Sequence, residues 1–234
     1  MSFEIENNLN NLKGSIKDIC LSSKREPDSV KLLAVSKTFP AEYVLEAYKY
    51  GQRMFGENKV QELEIKVPAL PKDIEWHMIG HLQSNKVAKV VELADYIHAV
   101  DSEKLLNRIN NIAGEKNRRP KVLLEVNISG EESKFGLTLS KLDSCAELAK
   151  NCEHIDFVGF MTMAPFGASE EELLEVFSKM CAARNRLEKE LDISLPELSM
   201  GMSCDYDSAI KEGATIIRVG TAIFGTRTFK PFAN

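Results

Sequence analysis

The sequence lacks the signals that mark several protein classes. No apolar run approaches the roughly 18 residues that cross a bilayer, so a membrane protein is not expected. The N-terminal stretch MSFEIENNLNNLKGSIKDIC is polar and has neither the charged nor the apolar segment of a secretory signal. The expected location is therefore cytoplasmic. Five cysteines, Cys20, Cys145, Cys152, Cys181 and Cys204, are scattered, odd in number and never spaced C-x-x-C. They suggest reduced, packed thiols rather than a disulfide framework or a zinc site. There is no basic excess. The net charge of −5 argues against a nucleic-acid partner, though it leaves room for a local basic pocket. No linker rich in glycine, serine or proline divides the chain, and no repeat or low-complexity tract occurs. A single domain over residues 1–234 is expected.

What is present is an alternation of short apolar runs with longer amphipathic ones. Candidate strands are KLLAVSK (31–37), RMFGE (53–57), EWHMIG (75–80), YIHAV (96–100), KVLLEVNI (121–128), FVGFMTM (157–163), ELSM (197–200) and TIIRVG (215–220). Helical patterns lie between them. AEYVLEAYKYG starts after Pro40 and closes on Gly51, and SNKVAKVVELA sets Val87, Val90, Val91 and Ala94 on one face. Ser102 is positioned to cap SEKLLNRINNIAGEKN. SEEELLEVFSKMCAARNRLEKEL is the longest helix, with acidic residues in its first turn. An extra helix precedes the first strand.

Near-continuous apolar strands joined by helices imply a parallel sheet covered on its faces. Eight such units predict a (β/α)8 TIM barrel, with a doubly wound open sheet as the alternative. Both folds place their chemistry at the C-terminal strand ends, so those ends are where functional residues are expected.

Lys37 ends the first strand. A lysine there either reaches into water with its stem buried or projects into the barrel mouth as a desolvated, nucleophilic amine. The loops after strands 7 and 8 read SMGMS and GTAIFG, small-residue turns at the usual phosphate site of such barrels. Ser203 is placed to cap the helix that follows. Arg218 interrupts the apolar run TIIRVG, and a buried arginine needs either an internal salt bridge or a ligand. A lysine, an anion cup and an unusual arginine together suggest pyridoxal 5′-phosphate. His77 and His81 are separated by a glycine-containing turn and lack a third ligand. They read as a core histidine and a loop histidine, and no metal is expected. Lys134, after strand 5, is either a surface lysine or a residue at the mouth.

The motifs LLAVSKTFP, FGENKVQE, WHMIGHLQSNK, GFMTMAP and LSMGMSCDYDSAIKEGATIIRVGTAIFG, in this order over about residues 30–228, resemble the pyridoxal phosphate homeostasis proteins. That family is a single barrel similar to the N-terminal domain of alanine racemase. The resemblance implies that Lys37 holds the cofactor as a Schiff base and that Asn58 lies beside the ring. It implies that Ser199, Met200, Gly201 and Ser203 line the phosphate and ring, that Gly220 and Thr221 close the phosphate cup, and that Arg218 faces the pyridine nitrogen. It further implies binding, storage or hand-over of the cofactor to apoenzymes without established turnover, and a monomer is expected. Two alternatives stay open: a small pyridoxal-phosphate enzyme acting on amino acids, as racemase or lyase, and a cofactor-free aldolase using Lys37. None of the five tyrosines (Tyr43, Tyr48, Tyr50, Tyr96, Tyr206) reads as a racemase-type base, and no second domain is expected beside the barrel.

Overall fold

The computed structural model describes residues 2–131 and 134–226. In chain order its elements are α1 (Ser2–Ser22), β1 (Lys31–Val35), α2 (Ala41–Lys49), β2 (Met54–Glu57), α3 (Val60–Ala69) and β3 (Glu75–Met78). They continue with α4 (Val87–Leu93), β4 (Tyr96–Val100), α5 (Glu103–Glu115), β5 (Lys121–Glu125), α6 (Leu139–Lys150) and β6 (Asp156–Met161). The last are α7 (Glu170–Leu191), β7 (Glu197–Ser199), α8 (Tyr206–Lys211), β8 (Ile216–Val219) and α9 (Thr221–Phe224). Every strand pairs in parallel with the next, and β8 pairs with β1, which closes the barrel. The open sheet is thereby excluded.

Local signals explain the elements. Ser102 accepts a hydrogen bond from Leu105 N and so caps α5. Ser169 and Glu172 form a reciprocal capping box at the start of α7. In α1, Ile5, Leu9, Leu12 and Ile16 are buried at helical spacing, and the helix lies against α8 and α9. The strands end sooner than their apolar runs suggest. β1 stops at Val35, so Lys37 stands two residues beyond it, in a turn.

Side-chain alternation separates two layers. Trp76, Met78, Ile97, Leu198, Met200, Ile217 and Val219 belong to the large apolar core between barrel and helices. Residues of opposite parity point into the barrel. They include the apolar group Tyr96, Leu123 and Met161 and a polar layer of His77, His98, Ser199 and Arg218, all buried.

Candidate cofactor site

A cavity of about 530 Å³ opens at the C-terminal ends of the strands. Lys37, Asn58, Ser203, Arg218, Gly220 and Thr221 all line it, brought together from β1, β2, β7 and β8. Its apolar wall includes Val35, Ile79, Met163 and Phe166. The motif GFMTMAP reaches this wall through Met163, Ala164 and Pro165, whereas Phe166, Gly167 and Ala168 beyond it had no role assigned from the sequence. Their signal was the Ala-Pro-Phe-Gly turn after strand 6, where Phe166 is fully exposed at its tip.

Lys37 is held from both sides. Ser36 Oγ donates to Glu57 Oε1 at 2.7 Å, and the Ser36 carbonyl accepts from Lys66 Nζ at 2.9 Å. Thr38 N donates to Glu62 Oε2 at 2.7 Å. Lys66 Nζ also donates to Glu57 at 2.6 Å and to Glu62 at 2.9 Å, so one buried cluster grips both neighbours of Lys37. Thr38 has φ of 70°, a left-handed conformation that costs a β-branched residue about 1–3 kcal/mol. The bond to Glu62 is the local feature that offsets it. Burial pushes the Glu57 carboxyl up to about 8, against the pull of Lys66. Nothing in the sequence pattern marked Glu57, Glu62 and Lys66 as a unit. The i, i+4 spacing of Glu62 and Lys66 was the available clue.

Arg218 is 5% exposed. Its Nη1 donates to Ser199 Oγ at 2.8 Å and its Nη2 to the Thr162 carbonyl at 3.0 Å. Among the described residues no carboxylate lies within ion-pair distance of it. Asp205 and Glu125 act from farther off. The internal salt bridge anticipated as one reading of Arg218 is therefore not formed, and the residue faces the cavity instead. Burial lowers its pKa to about 10, opposed by Asp205 and Glu125, so the guanidinium is cationic at neutral pH.

The anion-binding end differs from expectation in detail. Ser203 lines the cavity but does not cap a helix. Asp205 occupies the N-cap position of α8 without a side-chain cap bond, and its carboxylate accepts from Met202 N. Across the cavity, Gly220 O accepts from Ile223 N and Phe224 N. The first two amides of α9, those of Thr221 and Ala222, have no intrahelical acceptor. Ser203 and Thr221, from the loops after β7 and β8, both line the pocket and bring two hydroxyl-bearing side chains to its wall.

Ser199, Met200 and Gly201 do not line the cavity. Strand parity turns Met200 outward into the core, while Ser199 lies beneath the cavity floor and bonds Arg218. Gly201 has φ of 91°, and a Cβ there would sit 2.6 Å from Ala209 Cβ. It shapes the turn and accepts from Arg218 N through its carbonyl. Asn58 Oδ1 is buried at the cavity wall with no partner among the described residues. The main chain of Asn58 passes close to Gly80, where a Cβ would lie 2.3 Å from Asn58 O.

His77 is a core residue, as expected. His81 pairs with Asp101 at 3.2 Å and stacks on Phe135. Lys134 pairs with Glu131 at 2.7 Å and does not line the cavity.

Among the described residues, a primary amine, a buried guanidinium without a carboxylate in ion-pair contact, an unpaired buried amide oxygen and two hydroxyl-bearing side chains thus share one pocket. The set fits a phosphorylated pyridine aldehyde. Comparison with known proteins agrees. The family model described as "Alanine racemase, N-terminal domain" matches residues 7–228. The pyridoxal phosphate homeostasis protein of Aquifex aeolicus is 40% identical over 215 residues, covering 92% of this chain and 94% of that one. The protein of the same name from Homo sapiens is 41% identical over 212 residues, covering 85% and 77%. The structure of PipY from Synechococcus elongatus with PLP bound superposes with a TM-score of 0.84 at 40% identity, over 94% of this chain and 100% of that one. With that identity sustained over nearly the whole barrel, the chain belongs to the pyridoxal phosphate homeostasis protein family, built on the alanine racemase N-terminal domain.

Proposed function

We propose that this chain binds pyridoxal 5′-phosphate in the barrel mouth and serves the intracellular homeostasis of that cofactor. The observation that carries this reading is the placement of Lys37, Arg218, Ser203 and Thr221 on one cavity. When bound, the cofactor supplies an aldehyde for a primary amine and an electron-withdrawing ring. Lys37 would hold the aldehyde carbon covalently. Arg218 would donate to the ring nitrogen, Asn58 would lie beside the ring, and Ser203, Thr221 and the α9 amides would bind the phosphate.

The same residues favour holding over turnover. Arg218 donates and keeps its proton, so it leaves the ring nitrogen unprotonated. None of the five tyrosines lines the cavity, so no phenol stands ready to exchange a proton there. Apoenzymes that accept the cofactor are the partners this reading implies. A single cytoplasmic, monomeric barrel domain is the corresponding organisation. Among the described residues no helix is long and apolar enough to cross a membrane.

The test is an absorption spectrum of the purified protein loaded with cofactor, followed by borohydride reduction and peptide mapping. Label on Lys37 is the expected result. A protein that takes up no cofactor sinks the proposal and favours a cofactor-free lysine aldolase. Exchange of α-protons across a panel of amino acids at a catalytic rate would instead establish the racemase or lyase reading.

A further inference from the structure

Below the cavity, a chain of side chains crosses the barrel interior from Arg218 to the opposite end. Arg218 Nη1 lies 2.8 Å from Ser199 Oγ, and Ser199 Oγ lies 2.9 Å from His98 Nδ1. His98 Nε2 lies 2.8 Å from His77 Nδ1, and His77 Nε2 lies 3.2 Å from Glu75 Oε1. Ser199, His98 and His77 are all 0% exposed. Glu75, at the start of β3, reaches solvent.

The two ends fix the direction of every bond between them. A guanidinium only donates, and a carboxylate only accepts. Ser199 Oγ must accept from Arg218, which leaves its single proton for His98 Nδ1. His98 then carries its proton on Nε2 and donates to His77 Nδ1. His77 likewise carries its proton on Nε2 and donates to Glu75. The reverse order fails at both ends. Two donors would converge on Ser199 while its own proton lacked an acceptor in the chain, and His77 would turn a lone pair toward the Glu75 carboxylate.

We propose that His77 and His98 are neutral Nε2–H tautomers in a one-way hydrogen-bond chain, and that this chain acts as the counter-charge and positioning device of Arg218. Each dipole in it turns its negative end toward the guanidinium. The charge is thereby stabilised without a neighbouring carboxylate, which would compete with a ligand for the same N–H groups. The chain holds a proton pattern rather than conducting one, because arginine does not release a proton.

The surroundings oppose a charged ring. For His77, burial comes first and Lys121 and Lys31 add to it. For His98, burial is followed by His77 and Arg218. Both histidines are held well below the usual range. Tyr96 stacks on His77 at 4.2 Å and presents no acceptor to its ring nitrogens.

The positioning role rests on the reading of Arg218 as the contact to the ring nitrogen; the tautomers do not. Long-range proton–nitrogen spectra of cofactor-free protein labelled in histidine decide the tautomers, with exposed His81 and His154 as internal references. Protonation on Nε2 alone in both buried rings is expected. A proton on Nδ1 of either ring, or a charged ring, overturns the chain. The second measurement compares binding of pyridoxal 5′-phosphate with that of an analogue carrying C–H in place of the ring nitrogen. Wild type should prefer the pyridine, and Ser199→Ala should erode that preference about tenfold. Full preference retained in Ser199→Ala overturns the positioning role. No preference in wild type overturns it too, by removing Arg218 as the ring contact, and leaves the tautomer spectra to judge the chain itself.

Discussion

Lys66 donates to the main-chain oxygen of Ser36, the residue before Lys37, at 2.9 Å from the middle of α3. Its other bonds reach Glu57 and Glu62, and Glu62 in turn holds Thr38. The residues on either side of the amine expected to bind the cofactor are therefore tied to one buried cluster around Lys66.

Lys66→Met should destabilise the protein by about 3–5 kcal/mol, the usual cost of stranding a buried partner charge. Adding Glu62→Gln should recover part of that loss, because the stranded carboxylate is then gone. A denaturant double-mutant cycle gives the coupling. Additive effects of the two substitutions would show that the pair is not a unit.

Glu57 adds a pH signature. Its folded pKa is raised to about 8 by burial, above the ordinary carboxylate value. The folded state then binds more protons than the unfolded one between those two values, so the slope of stability with pH is negative. The contribution is fully present below the unfolded pKa and is lost as pH rises through about 8. Glu57→Gln resembles the protonated carboxyl. It should match wild type near pH 4 and exceed it near pH 9. Parallel stability curves for the two proteins across this window would refute the assignment. The comparison cancels other titrating groups, such as Glu125, which burial raises to about 7.

Ser203→Ala and Thr221→Val each remove a hydroxyl assigned to the phosphate. A lost hydrogen bond to a charged group costs about 1.5–3 kcal/mol, so cofactor binding should weaken roughly ten- to a hundredfold. The absorption maximum should stay where it is, since both hydroxyls are assigned to the phosphate and not to the ring system. Equilibrium dialysis against free cofactor checks the first point and a spectrum the second. Retention equal to wild type in both variants would place the phosphate elsewhere.

The barrel was legible because its signal is local and repeated. Eight apolar runs, a serine cap at Ser102 and the acidic first turn of α7 each declare themselves within a few residues. Lys37, Ser203 and Thr221 were legible because strand ends are where a barrel opens. The internal layers were not. His98, Ser199 and Arg218 come from β4, β7 and β8, and their contact depends on barrel register, which no short window contains. Parity was readable and would have turned Met200 away from the cavity, since Ser199 and Met200 adjoin and cannot both face inward. Gly80 is a different case: its need for a missing Cβ comes from the backbone of Asn58 passing 2.3 Å from where that atom would lie.

Arg218→Glu should raise side reactions of amino acids on the bound cofactor. Loss of an α-proton leaves charge that the ring must accept, and a protonated ring nitrogen accepts it best. A guanidinium stays charged at working pH and donates without transferring its proton, so the wild-type nitrogen remains a weak sink. A carboxylate at the same place would favour the protonated ring. The substitution carries a structural cost. It removes the donor to Ser199 and Thr162 and sets a third acidic group near Asp205 and Glu125. Arg218→Gln, which loses the charge without reversing it, is the control for that damage. The measurement is α-proton exchange per bound cofactor, with occupancy read by absorbance. The expected order is Arg218→Glu above Arg218→Gln, with wild type lowest. Equal rates at equal occupancy in all three would show that the ring nitrogen is not what restrains the chemistry, and would shift the explanation to the absence of a tyrosine from the cavity wall.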